Sequence, residues 1–440
     1  DMENIEHRDM VLDEFRKALA RDHTKMSITS FTALLAQRTW AGEAPELIAV
    51  DNASTDGGAD FIAARFPTVR LLRNRTNQGF AGGCNRGLEA ANGELLILLN
   101  QDTQVQPGWL NALHAAAADP TAGAIGCKIL YPDARTIQHA GATLEWPLGL
   151  AHHIGAGELD QGQWDALREA EFVTGAALAI RKEVLAQVGP FDEGFWPGYF
   201  EDADLCLRIR QAGWRILYAP QAVLLHQEST SVRDAARRAY YYQCGRLRLL
   251  LKHLEPERWL EEFIAVEQEN LPKFVRGQEG FALQLAYSTI MMAAPTLLVE
   301  VWRADPETIV QIVDALRTFY RLSIEETNRL HAERLAATTP AWRTVSEAPA
   351  RPQERLRLPL LSDFTFTSKV RGIGPLVESF RRVWYNVAAR WGNQHLRLQQ
   401  DSINAELAEE LALLRQQFDL MLAENARLAA TIAQMQQEKT

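Results

Sequence analysis

Short apolar runs, each closed by a polar turn, organise the first half of the chain. Leu47 to Val50 ends in DNASTDGG, Val69 to Leu72 forms a second run, and Leu95 to Leu99 ends in Asn100, Gln101 and Asp102. Runs of this length bounded by Asn, Asp and Gly read as buried strands. Phe31 to Leu35 and Gly87 to Ala91 read as helices, and Met26 to Thr29 as a brief first strand. Strands alternating with helices predict an α/β domain on a Rossmann-like, mostly parallel mixed sheet. Ligands bind such sheets beyond the carboxyl ends of the strands. Asp51 and Asp102 stand at two such ends, and His226 follows another apolar run, Ala222 to Leu225. An Asp and a His at two strand ends of one sheet can share a hard divalent cation that also binds phosphate oxygens. Asp56, by contrast, reads as turn chemistry that satisfies local backbone.

The period changes at Phe195 to Gly213, FWPGYFEDADLCLRIRQAG. Aromatic, Gly and Pro residues lead into Glu201 and Asp202, after which Leu205 and Ile209 recur at helical spacing until Gly213 stands as a C-terminal cap. Carboxylates placed where a loop becomes a helix meet free N–H groups and the positive end of the helix dipole, which favours a form able to accept a proton. The alternative for Asp202 or Asp204 is a helix cap.

Beyond His253 the pattern is helical. Phe281 to Val299 is almost free of charge, interrupted by Pro295, and long enough to raise a membrane span; Gln284 and the proline favour a buried or interfacial helix pair. Residues 338–370 are rich in Pro, Ala, Arg and Thr and read as a linker. In 371–397, Arg381, Arg382, Arg390 and Arg397 mix with Phe380, Trp384, Tyr385 and Trp391, a pattern that suits a membrane interface or a docking helix. The tail, 398–437, carries heptads with Asn404, Leu411, Phe418, Asn425 and Ile432 at a and Leu407, Leu414, Met421, Leu428 and Met435 at d. A polar Asn at a fixes register in a two-stranded coil, so a homodimer is expected. The organisation is thus an amphipathic extension at 1–24, an α/β domain at 25–255, a helical, membrane-associated candidate at 256–337, and the three tail segments.

Composition narrows the partners. The chain has 440 residues, 47% hydrophobic, with a net charge of −10, enough for more than one folded unit and the wrong sign for nucleic acid. Cys84, Cys127, Cys206 and Cys244 show no paired spacing, which argues against a zinc site or disulfide framework and for a reducing compartment. The opening residues are charged, without the apolar run of a signal peptide.

Five blocks then converge. NQGFAGGCNRG from Asn77, LLNQD to Asp102, VTGAALAIRKEV from Val173, VGPFDEGFWPGYFEDADLCLRIRQAGW to Trp214 and YAPQAVLLHQESTS to Ser231 together resemble family 2 glycosyltransferases, in particular the bacterial rhamnosyltransferase-like branch that builds surface polysaccharides. The resemblance runs from about Leu34 to His253 with the blocks in the family's order. It implies a GT-A fold and inverting transfer of a sugar from a dTDP, UDP or GDP donor to a glycan or lipid-linked acceptor, at the cytoplasmic face of the membrane with peripheral contact. By matching motif, Asp51 would contact the nucleotide. Asn100 to Asp102 would be the DXD element, with Asn in place of the first Asp. Asp102 and His226 would hold Mg²⁺ or Mn²⁺, Asp202 would be the general base, and Gly175, Trp196 and Tyr199 would line the acceptor side. Glu201 would orient the loop or bind an acceptor hydroxyl.

The chain departs from the family at its start. Met26 to Ser30 leads almost directly into the next helix, where the family has an apolar strand ending in Thr-Tyr-Asn and then a full helix. Two readings of function follow: an active metal-dependent transferase, or an impaired transferase-like domain kept as a coiled-coil scaffold. Asp102, Asp202 and His226 together favour the first, since a scaffold has no physical need of all three. A glycosidase is disfavoured, because adjacent Glu201 and Asp202 point in different directions and cannot flank one bond.

Overall fold

The computed structural model describes residues 33–38, 42, 44–227, 235–276 and 280–338. The expected strand at Met26 to Thr29, the extension at 1–24, the linker from 339 onward, the basic aromatic segment and the heptads lie outside the described residues.

β1 (Ile48–Asp51) and β2 (Arg70–Arg73) pair in parallel, Ile48 opposite Arg70 and Asp51 opposite Arg73. A parallel pair needs a crossover rather than a tight turn, and α1 (Gly58–Arg65) supplies it, burying Ile62 against Phe66 and Val69. α2 (Gly79–Ala90) follows, then β3 (Leu95–Leu99). The helix begins at Gly79, well before the expected Gly87. Its glycines weaken intrinsic helicity but allow close approach: a Cβ on Gly79 would sit 2.7 Å from Trp196 Cδ1, and one on Gly87 3.2 Å from Val50 Cγ2. Tertiary packing decides the helix against its local propensity.

The remaining strands are β4 (Thr103–Val105), β5 (Ala122–Leu130), β6 (Ile137–His139), β7 (Ala142–Glu145), β8 (Leu150–His153), β9 (Arg168–Glu169), β10 (Ala177–Arg181) and β11 (Arg215–His226). The main sheet runs β3-β10-β5-β11-β4, with β6 added to β5 and β9 to β11. It is mixed, as expected, but not mostly parallel: only the β5–β11 pair is parallel, while β10 runs antiparallel to both β3 and β5, and β4 antiparallel to β11. β3, β5 and β11 do share one direction. The expectation fails because β4 is reached by a short turn and β10 through a long irregular stretch, neither of which imposes the parallel sense of a crossover helix. β5 is buried along its whole length and forms the floor of the domain.

α3 (Trp109–Ala116) covers one face of the sheet. α4 (Lys182–Val188) and α5 (Glu201–Gln211) lie in the core with β10 and β11. α6 (Ala235–His253) packs beside α5 and begins the helical region. Pro256–Arg258 and a π turn at Trp259–Phe263 lead into α7 (Ile264–Val275). α8 (Gly280–Leu297), a second π turn at Leu298–Trp302, and α9 (Pro306–Thr338) follow. The apolar run is therefore one helix and not a pair. Pro295 is buried inside α8, and a π turn closes the helix at Leu298–Trp302. By length and composition this helix could cross a membrane, yet half of its apolar window is buried. Leu283, Tyr287 and Ile290 share a core with Leu250, Trp259 and Phe319.

A fully buried ion pair sits in that core. Arg246 Nη2 donates to Glu267 Oε1 at 2.6 Å and Nη1 to Oε2 at 3.0 Å, with the Tyr287 hydroxyl donating to the same carboxylate at 2.6 Å. Nη1 also reaches the Leu148 carbonyl at 2.9 Å, which ties the β7–β8 turn to the helices. Removing one member leaves the other charge buried and unpaired. Glu267→Ala is expected to lower stability by about 3–5 kcal/mol in urea unfolding; a loss below about 1 kcal/mol would show that water replaces the carboxylate.

Candidate active site

One cavity of about 1710 Å³ is lined by Asp51, Asn100, Asp102, Gly175, Trp196, Tyr199, Glu201, Asp202 and His226. The nine residues singled out from the sequence are thus brought to one place. The cavity also runs between β1 and β3, whose facing edges carry no further strand among the described residues.

Asp102 and His226 meet because of strand register. Asp102 closes the turn between β3 and β4, and β4 pairs with β11 so that Thr103 stands opposite His226. The Asn100 carbonyl accepts from the Thr103 hydroxyl at 2.6 Å, and the Asp102 carbonyl accepts from the Gln227 N–H at 3.0 Å. His226 Nε2 then lies 3.2 Å from Asp102 Oδ1, with both side chains nearly buried. Among the described residues no third carboxylate, imidazole or thiol joins them. One oxygen and one nitrogen donor fit a hard divalent cation that keeps water and takes its other ligands from a diphosphate.

Asp51 lies at the end of β1, where its Oδ1 accepts from the Ser54 N–H at 2.9 Å. Asp56 accepts from the Gly58 N–H at 2.9 Å, the turn role expected for it. The loop that follows is fastened by Asn52, which donates to Asn77 Oδ1 and the Gly79 carbonyl and accepts from Asn74 Nδ2 and the Gln78 N–H, all within 3.0 Å. Sequence reasoning missed Asn52; its position directly after a strand-end Asp was the available signal.

The opposite wall is the N-terminus of α5. Asp202 Oδ2 accepts from the Gly175 N–H at 2.8 Å and Oδ1 from the Ala203 N–H at 2.8 Å. Gly175 lines the cavity and also aims this carboxylate; a Cβ there would lie 3.0 Å from the Phe80 ring. Tyr199 and Phe200 both hold left-handed backbone, with φ 81° and 71°. Such conformations cost about 1–3 kcal/mol each and persist only where the surroundings enforce them. Here α6 does so: a Cβ on Gly245 would lie 2.5 Å from the Tyr199 carbonyl oxygen. Trp196 is exposed beside Tyr241, with ring centroids 6.2 Å apart.

The acidic cluster of α5 is differentiated by its surroundings. Glu201 is buried, and burial, then the neighbouring Asp202 and Asp204 carboxylates, push its pKa well above the usual carboxylate range. Its proton is therefore held more tightly than that of an ordinary carboxylic acid. Asp204 is fully buried yet charged. Burial opposes its ionisation, but the His253 hydrogen bond and the charges of Lys252 and Arg208 outweigh that and hold its carboxyl below the ordinary range.

A glycosyltransferase catalytic domain is the class that this arrangement and the motif blocks define. The family model for glycosyl transferase family 2 matches residues 28–188. Among similar proteins, the N-acetylglucosaminyl-diphospho-decaprenol L-rhamnosyltransferase of Mycobacterium tuberculosis is 33% identical over 227 residues, 46% of this chain and 73% of that protein. An uncharacterized Sinorhizobium fredii protein, y4gI, is 34% identical over 48% of this chain and 24% of its own length. The O-antigen biosynthesis protein RfbC of Myxococcus xanthus is 33% identical over 50% of this chain and 18% of its own. The chain therefore spans a quarter or less of two of these relatives and about three quarters of the other. It belongs to glycosyltransferase family 2.

Glu201→Gln, isosteric with the neutral acid, tests the electrostatic assignment. An acid whose folded pKa lies above its unfolded one stabilises the protein fully below the unfolded value, and that contribution is lost as pH rises through the folded one. The wild type is therefore expected to lose thermal stability relative to the variant as pH climbs from about 4.5 toward 8. Parallel melting curves over that range would show that Glu201 is already ionised in the folded protein.

Proposed function

We propose that the chain moves a sugar, with inversion, from a nucleoside diphosphate donor to a hydroxyl of a growing bacterial surface glycan or its lipid-linked precursor. The carrying observation is that one cavity holds a backbone-aimed carboxylate, Asp202, together with the Asp102–His226 pair. The Mycobacterium relative, whose name specifies a lipid-diphosphate acceptor, supports a lipid-linked acceptor here.

Asp202 takes the proton of the attacking hydroxyl. Its two backbone hydrogen bonds fix the direction of the carboxylate, and each oxygen keeps a further lone pair for the acceptor. Glu201, whose burial pushes its pKa well above the ordinary range, favours its protonated form and so competes less for that proton and can donate to an acceptor oxygen. Trp196 and Tyr199 face the acceptor side, while Asp51, Asn100 and Asp102 face the nucleotide and its diphosphate. Asp102 and His226 would hold Mg²⁺ or Mn²⁺, which when bound neutralises charge on the departing diphosphate.

Asp202→Asn is expected to leave nucleotide affinity nearly unchanged and to lower turnover by a factor on the order of 10² or more; turnover equal to wild type would remove Asp202 from the base role. For the donor side, calorimetry with dTDP, UDP and GDP in Mn²⁺ is the measurement. Asp102→Ala and His226→Ala should each weaken binding, and chelator should weaken it in the wild type. Binding indifferent to chelator would refute the metal assignment.

A further inference from the structure

His226 has an acceptor oxygen against each ring nitrogen. Nδ1 lies 2.7 Å from Gln138 Oε1, and Nε2 lies 3.2 Å from Asp102 Oδ1. A neutral imidazole carries one N–H and can satisfy only one of them. The shorter contact belongs to Gln138; a proton placed on Nδ1 to meet it leaves the Nε2 lone pair facing the carboxylate. Two lone-pair donors at that separation repel in isolation and suit neighbouring ligands of one cation.

Gln138 reaches this position across the sheet. It lies on β6, and β5 separates β6 from β11 by pairing Ile129 with His139 on one side and with Leu224 on the other. The Gln138 side-chain nitrogen is buried and has no hydrogen-bond partner among the described residues. A buried amide nitrogen left unsatisfied is a cost to folding, so a purely packing role would be met better by an apolar side chain. What the amide contributes is its carbonyl.

We propose that Gln138 is a positioning residue that holds the His226 proton on Nδ1 and thereby presents Nε2 as a bare ligand atom toward the divalent cation. Without it, neutral His226 gains by moving the proton to Nε2 and donating to Asp102, an arrangement that occupies both ligand atoms. The consequence for metal binding rests on the proposed metal reading; the control of the tautomer does not.

The test uses the full chain, metal-free and labelled with ¹⁵N-histidine, with the His226 signals assigned through His226→Ala. Two-bond ¹H–¹⁵N correlation at neutral pH is expected to show the Nδ1–H tautomer in the wild type and a shift toward Nε2–H in Gln138→Met. Titration with Mn²⁺ alone, followed by electron paramagnetic resonance, is expected to show affinity about 10–100-fold weaker in Gln138→Met. Gln138→Glu keeps an acceptor oxygen and should restore both the tautomer and the affinity. An Nε2–H ring or an imidazolium in the wild type, as results if the amide is turned to donate, overturns the proposal. So does wild-type Mn²⁺ affinity in Gln138→Met. A wild-type chain that shows the Nδ1–H ring, dependent on Gln138, but takes up no Mn²⁺ upholds the control by Gln138 and refutes the metal reading.

Discussion

The active-site wall depends on keeping a buried negative charge, Asp204, supplied with cations. Its carboxylate accepts from Arg208 Nε at 2.9 Å on its own helix, and from Lys252 Nζ at 2.6 Å and His253 Nε2 at 2.9 Å on α6. Lys252 and Arg248 also grip Asp192 at 2.8 Å, while Asp192 caps the short turn that leads into the Trp196–Phe200 loop. Arg208 continues to the Val188 and Pro190 carbonyls. One network therefore fixes the start of α5, the loop before it and the helix behind it. A buried carboxylate that lost these partners would have to take up a proton or draw in water, and the left-handed backbone at Tyr199 and Phe200 would lose its support.

The Asp102–His226 wall of the cavity is assembled differently, by register. Asp102 and His226 are far apart in sequence, and only the antiparallel pairing of β4 with β11 sets them side by side. A slip of one residue would turn the His226 ring to the other face of the sheet. β5, buried along its whole length and paired on both edges, holds β11 within the sheet. It also separates Gln138 from His226 in the sheet while leaving their side chains in contact. One wall is held by charge and the other by hydrogen-bond register, so the two fail under different perturbations, acid for the first and loss of strand pairing for the second.

What could be read from the sequence follows the same division. Strand β3, the start of α5 and the strand-end positions of Asp102 and His226 were legible because apolar runs, turn residues and helical period report local structure directly. The antiparallel insertion of β10 was not, since a buried strand has the same apolar composition in either direction. Nor was the start of α2 at Gly79, where packing against Trp196 outweighs propensity. Pro295 misled because a proline in an apolar run reads as a break, whereas here the helix runs on through it. Asn52 offered only its place after a strand-end Asp, and Gln138 offered nothing, because the importance of each lies in which partner it faces and a single polar residue carries no period.

The contrast between Glu201 and Asp204, three residues apart, carries the last step. Both are buried acids on one helix, yet burial and the neighbouring carboxylates push the pKa of Glu201 well up, while the His253 hydrogen bond and the charges of Lys252 and Arg208 hold that of Asp204 below the ordinary range. Three charged carboxylates within a single helical turn would repel one another and raise the proton affinity of each. Burial shifts Glu201 toward its protonated form and ion pairs occupy Asp204, while Asp202 accepts from the Gly175 and Ala203 N–H groups at the cavity wall, and it is on this geometry that the proposed base role rests.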